Sequence, residues 1–139
     1  MKMRIGPVIL LVLTLSWTAI AQSPAPMRAG LWEISTKIAM PGMGEMPPNA
    51  HQQCVTADMI KDPQSAVPKM EGDCKISDYK LTAGAATYTV TCTQPAAITA
   101  IGEIKYAGTD AYTGTLKVDA AGMAISMAYD AKRVGECPK

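Results

Sequence analysis

Cys74 and Cys92 stand at the two ends of the stretch CKISDYKLTAGAATYTVTC, and no other feature of the chain restricts its folding as tightly. Between them lie two runs rich in β-branched and aromatic side chains around Thr82-Ala83-Gly84, the pattern of a β-hairpin. A three-residue loop ending on a left-handed Gly84 sets Leu81 opposite Ala85, and that register carries Cys74 opposite Cys92. A two-residue Ala83-Gly84 turn offsets the cysteines by one position and still leaves both at the open end of the hairpin. Cys54 and Cys137 are the other two cysteines, and they are left to pair with each other. Closing that loop of about 80 residues contributes roughly 4 to 5 kcal/mol in the chain-entropy model. Zinc sites bring their ligands in close pairs, whereas the nearest two cysteines here are eighteen positions apart, so the spacing favours disulfides.

Disulfides imply an oxidising compartment, and the N-terminus carries a means of reaching one. Lys2 and Arg4 precede an apolar run from Ile5 to Ile20, and Ala19-Ile20-Ala21 supplies a small-x-small cleavage site, the three parts of a secretory signal peptide. The run of about sixteen residues contains Pro7 and is shorter than the roughly 20 that span a membrane. Removal of residues 1–21 is therefore expected, leaving 22–139 as one soluble β domain with no stable membrane anchor. Without Lys2 and Arg4 the 13 basic residues become 11 against 12 acidic ones, and the net charge moves from +1 to about −1. That balance points to neither nucleic acid nor an anionic membrane as a partner.

The rest of the chain alternates with period two. Trp32, Ile34, Thr36, Ile38 and Met40 share one side of a first strand. Ile98, Ala100, Gly102, Ile104 and Tyr106 share a side of another, with Ile101 out of pattern. Tyr112, Gly114, Leu116 and Val118 follow, then Met123, Ile125, Met127, Tyr129 and Ala131. With the hairpin and a short piece at Gln53–Val55, the reading is an all-β antiparallel meander of about seven strands, either a curved sheet or a small barrel-like fold. One short helix is expected at Ala57 to Lys61, capped by Thr56 and stopped by Pro63. Asp62 to Asp73 reads as a surface connection. The small inward residues Ala100, Gly102, Gly114 and Ala131 either let another element approach closely or leave room for an apolar ligand.

Most catalytic chemistry lacks its residues. His51 is the sole histidine, the cysteines are committed to bridges, and neither a nucleophile elbow, a phosphate-binding glycine loop nor a zinc-protease motif is present. No enzyme activity and no cofactor is expected. Several short motifs, however, occur in a characteristic order: Gly30-Leu31-Trp32-Glu33, Met40-Pro41-Gly42-Met43, Gln53-Cys54-Val55-Thr56, Asp73-Cys74-Lys75-Ile76-Ser77-Asp78-Tyr79 and Arg133-Val134-Gly135-Glu136-Cys137. Together they resemble the exported bacterial family called domain of unknown function 3617. The resemblance implies small proteins with signal peptides and a periplasmic destination, with secretion as the alternative, and it transfers no catalytic site.

Two functional expectations follow. The first is a non-enzymatic binding module of the cell envelope, whose sheet holds an apolar ligand or a protein partner beside the adaptable side chains of Met123 and Met127. The second is a soft-metal site in IAMPGMGEMPP, with Met40, Met43 and Met46 as thioether ligands for Cu(I) and His51 as a fourth. Extended chain holds residues three apart about 9 Å from one another, so the sulfurs converge only where Pro41-Gly42 or Gly44 turns the chain.

Overall fold

The computed structural model describes residues 26–139, so the expected leader at 1–21 lies outside the described residues. Alternating side chains produce eight strands in one antiparallel sheet. They are β1 (Gly30–Met40), β2 (Gly44–Glu45), β3 (Asn49–Val55), β4 (Asp73–Leu81), β5 (Ala85–Gln94), β6 (Ile98–Tyr106), β7 (Ala111–Ala120) and β8 (Met123–Gly135). The order is β2-β1-β8-β7-β6-β5-β4, with β3 also paired to β1. From β4 to β8 consecutive strands are neighbours, as short turns dictate. The chain then closes on itself only in sequence: β8 lies against β1, while β3 and β4 are edges with no ladder joining them. The fold is therefore an open sheet and not a barrel. The short helix is a single 3-10 turn, Met59–Lys61, and Thr56 Oγ1 accepts the Met59 N–H at 3.2 Å.

The hairpin combines both of its expected registers. Thr82 donates its N–H to Ala85 O at 2.8 Å, so only Ala83 and Gly84 lie between them, and Leu81 faces Ala86. Gly84 is not left-handed. The resulting one-residue offset is cancelled by a bulge at Asp78-Tyr79, where Asp78 takes φ 50°, a conformation its short polar side chain tolerates. Beyond the bulge Cys74 faces Cys92, and the two are bonded with Cα atoms 4.0 Å apart. Cys54 and Cys137 form the second disulfide, which joins the end of β3 to the chain beyond β8 across the start of β1.

One face of the sheet holds the core, and its rows can be read across the strands. Thr36, Tyr129, Gly114, Ile104 and Ala86 are successive partners in one row, and Ile38, Met127, Leu116, Gly102 and Tyr88 in the next. The two glycines are where aromatic rings lie flat on the backbone. A Cβ at Gly102 would overlap the Tyr88 ring, and one at Gly114 would overlap the Tyr129 ring. The rings thus reach over β6 and β7 from opposite sides, and their hydroxyls meet at 3.1 Å in a buried hydrogen bond. The space over Gly102 and Gly114 is filled by tyrosine, not left as a cavity. Tyr112 packs between Trp32, at 5.4 Å between ring centroids, and Tyr129, edge-on at 6.2 Å. Trp32 is fully buried and donates Nε1–H to Arg28 O at 3.0 Å. Ile101, the residue out of pattern, is 62 % exposed on the other face.

All five tyrosines belong to this inner face, and burial raises the pKa of each. For Tyr112 burial and then the neighbouring Tyr88 push it to about 12, while Tyr129, buried and bonded to Tyr88, moves up further. The Tyr106 hydroxyl is buried without a hydrogen-bond partner, and its pKa rises through burial and then the adjacent Tyr79.

Two outcomes are expected. Gly102→Ala should lower stability by about 1–3 kcal/mol in urea unfolding, because overpacking outweighs the fraction of a kcal/mol gained through the unfolded chain. In a Tyr88→Leu background the same substitution should cost clearly less, and an unchanged cost would sever the link between ring and glycine. The phenols are held neutral in the fold but ionise near the ordinary tyrosine value of 10.0 when unfolded, so their contribution to stability is complete below pH 10 and lost as pH rises towards the folded values. The urea midpoint should therefore fall from about pH 10 upwards, with tyrosinate absorbance appearing together with unfolding. Tyr129→Phe should make that fall shallower.

Candidate functional site

The chain leaves β3 at one end of the sheet and enters β4 at the other: Val55 pairs with Gly30 at the start of β1, whereas Cys74 lies in the row of Cys92, Ile98, Ala120 and Met123. Residues 56–72 must cover both the width and the length of the sheet, and they do so across the inner face. The segment is thus a strap and not the surface connection its polar and Pro-rich composition implies. Ala66 and Val67 are 7 % and 5 % exposed, and Met59, Ile60 and Met70 pack on the core beside them. Tyr79 Oη donates to Pro63 O at 2.5 Å. A disulfide stands at each end of the strap, Cys54 just before it and Cys74 just after. The apolar pair Ala66-Val67 between Pro63 and Pro68 was the one sequence signal of this burial.

The strap leaves a cleft on either side. One, of about 340 Å³, opens towards β4 and β5 and is lined by Met59, Met70, Cys74, Ile76 and Val90. The other, of about 320 Å³, opens towards β1, β3 and β8, with Ile34, Leu116, Met127 and Tyr129 as its apolar wall and His51 and Gln53 at its polar side. Ser65, Val67, Pro68 and Lys69 border both.

Beyond the second cleft the strap leaves a corner of the inner face uncovered. Met46 donates its N–H to Ile38 O at 2.8 Å, which sets it beside Ile38, and Ile38 pairs on its other side with Met127. By alternation Met40, Ile125 and Met123 belong to the same face. Ile38, Met40, Ile125 and Met127 are half-buried, and Met46 and Met123 are 42 % and 55 % exposed. Methionine therefore lines an apolar surface that the fold leaves open. Alternation along the last strand already set Met123 and Met127 inward; that they face the loop methionines follows only from the pairing of β8 with β1.

The IAMPGMGEMPP stretch does turn where Pro and Gly allow. Gly42 and Gly44 take φ of 83° and 75°, Met43 N–H reaches Met40 O at 3.3 Å, and β2 folds back on the end of β1. Met43 is 70 % exposed at the tip. His51 pairs with Ile34, six positions along β1 from Met40 or about 20 Å at strand rise, so the register does not bring it to the methionines. It faces the second cleft instead.

Among the described residues no three His, Cys, Asp or Glu side chains gather as a metal site, and no helix is long and apolar enough to cross a membrane. The ion pairs whose two partners are both exposed, such as Arg28 with Asp110 at 2.8 Å, contribute at most about 1 kcal/mol each. The two disulfides fit folding outside a reducing cytoplasm.

Neither a curated protein nor a solved structure matches the chain. A family model does, over residues 27–137, a span that runs from the buried Met27 to the bridged Cys137 and takes in the whole sheet and the strap. The chain belongs to the family described as Protein of unknown function (DUF3617).

Proposed function

We propose that the protein is a non-enzymatic binding module of the cell envelope, exported to the periplasm, that holds an apolar ligand on the inner face of its sheet. The observation that carries this reading is the methionine-lined corner, continuous with the cleft under the strap: Ile34, Met127 and Leu116 form the wall, and Met46 and Met40 extend it outwards. Apolar surface of this kind costs free energy in water at roughly 25 cal/mol per Å², which a ligand recovers by covering it. Unbranched methionine adapts to irregular ligands. The strap supplies one wall, and a disulfide stands at each of its ends.

Nile red is expected to fluoresce on binding the oxidised protein, and Ile38→Asn should weaken that binding while circular dichroism stays unchanged. Absence of probe binding, together with nothing extractable by organic solvent from protein purified out of the envelope, would sink the reading.

A second reading rests on the turn at Pro41–Met43, which is the bend that convergence of the loop sulfurs requires. Here Met40, Met43 and Met46 hold Cu(I) through thioethers, the sulfur ligands left when all cysteines are bridged. Replacing all three by Leu should abolish Cu(I) binding in competition with a chromophoric chelator and leave the fold intact; an unchanged affinity rules the site out.

A further inference from the structure

We propose that the cleft between the strap and β1, β3 and β8 takes a single-chain anionic amphiphile, with its charged end at Lys69 and its chain laid along the methionine corner; this rests on the apolar-ligand reading above. Three observations carry it. Lys69 is the only formally charged residue that lines this cleft, and no carboxylate lines it at all. Among the described residues Lys69, like Lys75, Lys80, Lys117 and Lys139, forms no ion pair, and it alone of these five lines the cleft. The cleft also offers Gln53, His51 and Ser65 as polar groups, and its apolar wall is Ile34, Leu116 and Met127.

The geometry then sets an order along the ligand. The polar border sits at the level of Ile34 and Thr36, since His51 pairs with Ile34. The uncovered apolar strip runs from there to Met40, six positions or about 20 Å, with Met46 and Met127 on its two sides. A ligand with one charged end and one extended chain matches both ends of that strip at once. A ligand without charge leaves Lys69 unpaired.

The test is displacement of Nile red from the oxidised protein by laurate, dodecanol and dodecyltrimethylammonium. Laurate is expected to displace best and the cationic amphiphile worst. Lys69→Ala should weaken laurate about tenfold, the worth of one charge-assisted hydrogen bond, leave dodecanol unchanged, and be restored by Lys69→Arg. Equal displacement by laurate and dodecanol in the unaltered protein overturns the anionic head while the apolar-ligand reading stands. Equal loss of both in Lys69→Ala overturns it too, because the residue then serves the strap and not the ligand. If Nile red does not bind and organic solvent extracts nothing from the purified protein, both proposals fall.

Discussion

The hydrogen bond between Tyr88 and Tyr129 is the contact on which the inner face is organised. Neither ring can lie where it does unless the residue beneath has no side chain, and Gly102 and Gly114 meet that condition on adjacent strands. The four residues therefore act as one span from β5 to β8. A phenol buried without a partner would lose more than the bond is worth, so the pairing of the two hydroxyls is what makes tyrosine acceptable at the centre of a core that has no Phe at all. Around this span Tyr112 and Trp32 complete an aromatic floor, and Ala66 and Val67 of the strap close it from above.

Much of this was legible in the sequence because period-two alternation is a local property. Every inward residue assigned on β6 and β7 lies on the core face, and the spacing of the cysteines led to both bridges. What the sequence left open is long-range. The pairing of β1 with β8 has no local signal, and with it went the neighbourhood of Met46, Ile38 and Met127. The strap was misread because a polar, Pro-containing stretch looks like surface, and two buried side chains such as Ala66 and Val67 are too few to set a period. The hairpin shows a subtler case: an offset at the turn and a bulge at Asp78 cancel, so the cysteines face each other by a route different from the three-residue loop.

The candidate site is a product of topology. Because β3 and β4 run in the same direction at opposite edges, their connection has to travel the full diagonal of the sheet, and a diagonal leaves two corners. One of these holds Met40, Met46, Met123 and Met127. Loop and strand methionines that look unrelated in the sequence become one surface for that reason.

The pairing of β1 with β8 also carries a consequence for how the molecule is made. A chain made from its N-terminus delivers β1 first and its partner β8 last, about 90 residues or roughly 5 to 20 s later at typical synthesis rates. In the interval β2 and β3 can zip onto one side of β1 through local turns, and β4 to β8 can form their own meander, since short-range contacts close fastest. Two part-sheets formed in this way would each carry an open seam, and docking one seam on the other would complete the domain. The joint of the molecule is thus an interior strand pair, although its two strands stand far apart in the sequence.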